Sequence, residues 1–149
     1  MIEIKYSTSP PADFIQLNKL LDDDYYQRFG EVALKYRPYN TLENIKDFFV
    51  AYDHGKPAGC ACFRYFDKES AELKRVFILP EYRRQGIAHR LATACEKAAK
   101  SQGYRYMVLE TGVEMTDAIA LYQKLGYNFI DNYGDFAGDT ICCCMKKSL

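Results

Sequence analysis

The stretch that decides the fold is VFILPEYRRQGIA, Val76–Ala88. Four apolar residues end a buried strand, a short basic loop follows, and Gly86 precedes an amphipathic helix. The amides of such a loop point inward and the helix start carries about half a positive charge, so the pattern predicts an anion site. Gly86 has no Cβ, so an oxygen can approach the main chain closely. Amide donors, at about 1.5 to 3 kcal/mol each, are expected to matter more than exposed arginines, at about 1 kcal/mol or less.

The segments around this loop alternate between strands and helices. Strands are predicted at 2–6, 48–52, 58–66, 71–79, 106–110, 127–130 and 140–146. Helices are predicted at 9–29 with Ser9 as cap, after a capping box of Asn40 and Glu43, at 86–102, and from a Thr116 cap to Gly126.

The passage 71–110 is a βαβ unit, and its right-handed crossover makes the two strands parallel, whereas 48–79 is an antiparallel meander. We therefore expect a single α+β domain, 1–149, with a mixed and mainly antiparallel sheet of about seven strands flanked by about four helices.

Charge argues against a polyanionic partner. Lys plus Arg and Asp plus Glu each number 20, so the formal net charge is zero. A nonspecific nucleic-acid or membrane-surface binder needs a strong positive field. No uninterrupted apolar run exceeds five residues, and residues 1–6 carry acids and lysines where a signal peptide would have its apolar core. We expect no nucleic acid, no membrane and a cytoplasmic location.

The cysteines and histidines do not have the spacing of a metal site. The six cysteines contain no CxxC pair, and the two histidines, His54 and His89, have no second ligand at helical spacing. Reduced and mostly buried thiols are the favoured interpretation. We expect no metal and no cysteine nucleophile.

Two motifs together resemble the GNAT superfamily of N-acetyltransferases. Arg83-x-x-Gly86-x-Ala88, preceded by Pro80 and an apolar strand, resembles its acyl-CoA loop. Residues 118–127, AIALYQKLGY, resemble its next helix with a tyrosine, Tyr122, and a glycine-aromatic exit. With the strand order and the length, the resemblance covers nearly the whole chain. It implies a GNAT-type fold and an acetyl-CoA-dependent enzyme that acetylates an amine.

The resemblance also implies which residues bind the cofactor. Main-chain groups at the end of the strand would pair with the pantetheine arm, and the amides of residues 84–89 would hold the pyrophosphate. The two arginines either approach the adenosine phosphates or stay solvated. The predicted cofactor-binding residues are Val76, Phe77, Ile78, Arg83, Arg84, Gln85, Gly86, Ile87, Ala88, His89 and Tyr122.

The same resemblance suggests a proton donor and a base. Tyr122 is the donor to the departing sulfur, with a packing tyrosine as the alternative. Glu72 is the base, directly or through water; Glu110 is the competing carboxylate, and either could instead pair with a neighbouring cation. Many relatives carry Asn where this chain has Met115, so any task of that amide must lie elsewhere.

The acceptor is expected to enter between the first two helices and loop 131–139, following the family layout. The candidate small-molecule acceptors are an amino acid, a polyamine or an amino sugar. A protein or peptide N-acetyltransferase is the alternative enzyme, and a CoA-binding sensor or assembly module without turnover is the alternative of another class. A monomer and a homodimer both fit. An aromatic wall and an acidic run could receive a cationic amine: Tyr25, Tyr26, Phe29, Tyr36, Tyr39, Tyr133, Phe136, and Asp22, Asp23 and Asp24.

Overall fold

The computed structural model describes residues 1–149 and contains seven strands and four α-helices. Short 3₁₀ turns lie at Arg37–Asn40, Pro80–Tyr82 and Gly134–Phe136. The strands are β1 (Ile2–Ser7), β2 (Asp47–Asp53), β3 (Lys56–Tyr65), β4 (Ser70–Ile78), β5 (Tyr106–Gly112), β6 (Asn128–Ile130) and β7 (Cys142–Ser148). The helices are α1 (Ala12–Phe29), α2 (Val32–Tyr36), α3 (Ile87–Ser101) and α4 (Thr116–Lys124).

The strands form one mixed sheet in the order β1-β2-β3-β4-β5-β7-β6. β4 and β5 are parallel, and the β1–β2, β2–β3, β5–β7 and β6–β7 pairs are antiparallel. The predicted α+β class and mainly antiparallel seven-stranded sheet are therefore confirmed. The parallel register covers only Ser70–Glu72 on β4 and Tyr106–Val108 on β5, although both strands continue beyond it.

The chain contains two compact units. The first comprises Met1–Arg64 and Leu73–Cys95. In its core, the apolar face of α1 packs on the sheet, with Phe14 edge-on to Phe48 at 5.0 Å. Burial of each such side chain contributes about 1.5 to 3 kcal/mol, so this face fixes α1. The cluster comprises Phe14, Leu17, Leu21, Ile45, Phe48, Val50, Cys60, Cys62 and Phe77.

The second unit comprises Tyr65–Glu72 and Glu96–Leu149. Its central strands β5 and β7 bury Met107, Leu109 and Met145. A polar link accompanies this core, because Glu96 accepts hydrogen bonds from the Tyr127 hydroxyl at 2.8 Å and the Lys147 ammonium at 2.7 Å. Buried polar groups must be paired in this way to avoid a desolvation cost. No helix of the chain is both long and apolar enough to cross a bilayer.

The predicted start of α1 is wrong by two residues. The helix begins at Ala12, with extended Pro11 as its N-cap, and no side chain caps it. Pro11 disfavours helical geometry at Pro10, so Pro10 is not the first helical residue and a Ser9 cap was too early. The Ser9 carbonyl instead accepts a hydrogen bond from the Ser7 hydroxyl at 2.6 Å.

The predicted capping box of Asn40 and Glu43 is also wrong. The helical turns lie before Asn40, in α2 and the 3₁₀ turn, and not after it. Asn44 has a φ of 63°, which a right-handed helix cannot accommodate. The predicted break at Arg37-Pro38 coincides with the change from α2 to the 3₁₀ turn. Pro38 fits this position because proline is tolerated in the first turn of a helical segment.

The ends of the later helices follow the prediction better than their starts. Gly103 and Gly126 follow α3 and α4 with φ values of 97° and 101°, conformations that favour glycine. Thr116 is the first residue of α4 rather than its cap; the N-cap is Met115, with no side-chain capping bond.

Strict alternation along β4 is interrupted at Arg75. Its φ of 57° is left-handed, which is rare for a non-glycine residue inside a strand. Adjacent side chains consequently both bind helical segments that precede β2: Lys74 Nζ donates to the Tyr39 carbonyl of the 3₁₀ turn at 2.9 Å, and Arg75 Nη2 donates to Asp22 Oδ1 on α1 at 2.6 Å. The sequence predicts Glu72, Lys74 and Val76 on one face because side chains of a regular strand alternate. That alternation does not hold through Arg75, so it does not establish a common face.

Candidate active site

The loop between β4 and α3 has the backbone geometry of an anion cradle. Arg84 and Gly86 have φ values of 64° and 78°, so two left-handed residues precede the helix. The Gly86 carbonyl accepts the Arg90 amide at 3.1 Å, which makes Gly86 the N-cap of α3. The amides of residues 87–89 therefore belong to the first turn, where no helical acceptor exists. A Cβ on Gly86 would meet no atom within 4 Å, so there is open space beside the main chain.

Most side chains of this loop lie at the surface. Arg84, Gln85 and His89 are exposed. Arg83 turns back toward β4: its Nε donates to the Ile78 carbonyl at 2.9 Å, and its guanidinium lies 5.7 Å from the centre of the Phe77 ring. Arg83 thus holds the loop against the end of β4. The sequence did not reveal this contact.

Three predicted pantetheine-binding residues, Val76–Ile78, occupy the end of β4. They lie beyond the three-residue register that β4 shares with β5. β3 approaches them closely: a Cβ on Gly59 would lie 2.8 Å from the Phe77 carbonyl oxygen and 2.5 Å from Ile78 Cδ1. Only glycine permits this approach, so Gly59 supports the strand end. The sequence analysis did not single it out.

Glu72 is a buried carboxylate with a tyrosine partner. It is 2% exposed, and the Tyr133 hydroxyl donates to its Oε2 at 2.7 Å. Burial, followed by the negative charge of Glu72, raises the pKa of Tyr133 far above its usual value, so this phenol stays protonated. Sequence reasoning assigned Tyr133 to an acceptor wall and did not connect it to Glu72. Their separation of 61 positions along the chain hides the pair from any local pattern.

Tyr122 lies on α4 and is 7% exposed. Its ring packs edge-on against Tyr127, with centroids 5.7 Å apart. Met115 is the N-cap of the same helix. An aromatic packing role and a proton-donor role are both compatible with this burial.

Glu110 is half-buried on β5, opposite Cys144 on β7. Burial, with a contribution from the Glu110 charge, raises the pKa of Cys144 to about 11 and that of Cys142 to about 12. All six cysteines are free, and five of them are buried, as predicted. The thiols of Cys142 and Cys144 therefore stay protonated at neutral pH, which disfavours either of them as a nucleophile.

Two of the three aspartates in the acidic run on α1, Asp22 and Asp24, form ion pairs. Arg75, whose side chain is 2% exposed, binds Asp22 as well as Asn18, and Arg28 lies 3.4 Å from Asp24. Asp22 therefore neutralises a buried cation, a role that a desolvated guanidinium requires. From the sequence, this run was predicted as a possible binding surface for a cationic acceptor.

The mixed sheet and the amide cradle after β4 define the class, a CoA-dependent N-acyltransferase. The profile of the acetyltransferase (GNAT) family matches residues 14–127, and the chain belongs to that family. It is an acetyl-CoA-dependent N-acetyltransferase.

Individual relatives agree with this membership. The chain is 35% identical over 104 residues to an IAA acetyltransferase of Azospirillum brasilense, a match that covers 68% of this chain and 67% of that protein. A Klebsiella pneumoniae protein assigned as an acyl-CoA N-acyltransferase has a TM-score of 0.82 and 25% identity, over 100% and 98% of the two chains. A GNAT family acetyltransferase from Elizabethkingia anophelis with acetyl-CoA bound shares the fold, with a TM-score of 0.74, 22% identity, and 99% and 98% coverage.

Proposed function

We propose that this enzyme transfers the acetyl group of acetyl-CoA to a primary amine of a small molecule by direct attack of the amine on the thioester. The observation that carries the proposal is the cradle, in which two left-handed residues, Arg84 and Gly86, lead into the first turn of α3. Several converging amides suit a pyrophosphate better than a single carboxylate. Residues 1–149 would form one catalytic domain, which is supported by a family profile that spans parts of both units.

Acetyl-CoA would supply an activated acyl thioester, and the chain would supply binding groups. The amides of residues 84–89 would hold the pyrophosphate, since nothing of the protein fills the space beside Gly86. The main chain of Val76–Ile78 would pair with the pantetheine arm as an added strand. The end of the β4–β5 register at Glu72 supports this assignment, because β5 does not pair with those residues.

Glu72 would take the proton that the nitrogen of a neutral acceptor amine loses as it attacks the thioester carbonyl. The burial of Glu72 and its hydrogen bond with Tyr133 support this role, because they hold the carboxylate in one place. Glu110, or a water, is the competing base. The nitrogen gains the acyl carbon as the carbon–sulfur bond breaks, and Tyr122 would donate a proton to the sulfur. Solvent would then return a proton to Tyr122 and accept the one that Glu72 took. The raised pKa values of the cysteines support direct attack over an acyl-cysteine route.

A cytoplasmic location is part of the proposal, and the six free cysteines support a reducing compartment. The identity of the acceptor is the part of the proposal that the structure constrains least. The test is acetyl-CoA consumption against a panel of polyamines, amino acids, amino sugars, IAA and peptides with free N-termini, with the parent, Glu72→Gln and Tyr122→Phe side by side. Turnover with one class of small amine, slowed in both variants, is the expected result.

Three other outcomes would redirect or refute the proposal. Turnover with peptides alone would favour a protein or peptide N-acetyltransferase. Calorimetric binding of CoA with no release of product for any acceptor would favour a sensor or assembly module. A folded protein that binds no CoA would refute the proposal.

A further inference from the structure

Two buried tyrosine–glutamate pairs lie within the second unit and have different surroundings. Tyr127 donates to Glu96 at 2.8 Å, and the Lys147 ammonium, at 2.7 Å from the same carboxylate, links it to β7. Tyr133 donates to Glu72 at 2.7 Å from a connecting loop. The first pair, together with Lys147, thus connects α3 to β7. The second pair connects loop 131–139 to the proposed base, Glu72.

The loop holds Tyr133 from several directions. Its carbonyl accepts the Phe136 amide at 3.0 Å, and its ring lies edge-on to Phe66 at 4.6 Å and to Phe136 at 6.0 Å. The Asn132 side-chain amide closes the loop by donating to the carbonyls of Asp139 at 3.0 Å and Cys142 at 3.2 Å. The direction of the Tyr133 hydroxyl is therefore set by the loop and not by a freely rotating side chain.

A donor so fixed restricts the rotation of the carboxylate, since a hydrogen bond to a charged acceptor is strong and directional. Tyr133 remains a donor across the working range because burial raises its pKa. A general base at a buried position needs such a fixed orientation, because its free oxygen must face the proton that it removes.

We propose that Tyr133 is a positioning residue, whose phenol holds Glu72 oriented for proton removal from the acceptor amine. The proposal rests on the proposed role of Glu72 as the base. Loop 131–139 consequently contributes to the rate of the chemical step and does more than line a path for the acceptor.

The test is the split between kcat and KM for Tyr133→Phe, which keeps the ring and removes the donor. We expect kcat to fall about tenfold, because the carboxylate loses the group that orients it. The KM for acetyl-CoA is expected to stay within about twofold, since the cradle is untouched.

The matched control is Tyr127→Phe, which removes a phenol from the other buried glutamate. It is expected to lower the melting temperature and to leave kcat within about twofold of the parental value. A Tyr133→Phe variant with the kcat of Tyr127→Phe would overturn the proposal and leave the base assignment intact. If Glu72→Gln keeps the parental rate, or if the parent acetylates no amine, the proposed function fails and the role of Tyr133 fails with it.

Discussion

The proposed cofactor site around Gly86 and the proposed catalytic site around Glu72 would use different kinds of groups. Around Gly86 the useful groups are amides, aimed by left-handed backbone angles at Arg84 and Gly86, while nearby side chains are exposed. Around Glu72 the useful groups are side chains, held by burial and by Tyr133. Substitutions at the first region should therefore matter when they change the backbone. At the second region, the loss of a single oxygen should matter.

The largest expected effect is that of Gly86→Val on CoA binding. Valine disfavours a φ of 78° and places methyl groups in the space beside the amides, so at least two amide-to-phosphate bonds are lost. We expect the affinity for CoA, measured by calorimetry, to fall by more than about a hundredfold, or about 3 kcal/mol.

The control is Gly55→Val in the β2–β3 turn, where the φ is 83° and a Cβ would likewise meet nothing within 4 Å. It carries a similar backbone strain, so it should lose comparable thermal stability and keep the affinity for CoA. Equal losses of affinity in both variants would argue that strain alone, and not the cradle, is responsible.

Next in size is the effect of Tyr122→Phe, which leaves the backbone and the packing on Tyr127 in place. Loss of a general acid costs about a hundredfold in kcat, whereas the affinity for CoA should fall by no more than about tenfold, since only one hydrogen bond to the sulfur is lost. Single-turnover measurement of CoA release separates the two quantities. A parental kcat would reduce Tyr122 to a packing residue on α4.

A smaller effect is expected for Gly59→Ala, which changes β3 where it approaches the end of β4. The new methyl would lie 2.8 Å from the Phe77 carbonyl oxygen, which is main chain and cannot move aside cheaply. We expect a loss of about 2 kcal/mol in the free energy of unfolding, measured by denaturant titration. The control is Gly112→Ala, whose methyl would meet flexible Met115 Cγ at 3.3 Å, and its loss should stay below about 0.5 kcal/mol.

The smallest effect is that of Arg84→Gln. Because this side chain is exposed, its contribution to CoA binding should be about 1 kcal/mol or less and should shrink as salt is added. Calorimetry at two ionic strengths measures it. A loss as large as that of Gly86→Val would mean that arginine charge, and not the amides, dominates the cradle.

The sheet and the cradle were predictable because their signals are local. Strand periodicity, Gly86 before a helix and the glycines after α3 and α4 each lie within a few residues of the feature they predict. Helix starts were less predictable: the capping patterns at Ser9, Asn40 and Thr116 all failed. A short polar residue at a cap contributes only about 1 kcal/mol, so nearby prolines or tertiary contacts can decide where the helix starts.

The side-chain geometry of the candidate site could not be predicted. Tyr133 and Glu72 are separated by 61 residues, and the Arg75–Asp22 pair by 53. Neither pair leaves a spacing pattern in the sequence. The left-handed Arg75 inside β4 likewise has no sequence signal, since arginine does not favour that conformation.

The burial of the thiols has a practical consequence for kinetics. Five of the six cysteines are buried, and the sixth, Cys143, has a pKa raised by its surroundings. Reagents that count sulfhydryls react with accessible thiolates, so the native enzyme should add little background colour. Product formation can then be followed continuously through the thiol of released CoA, with no need for engineered cysteine removal.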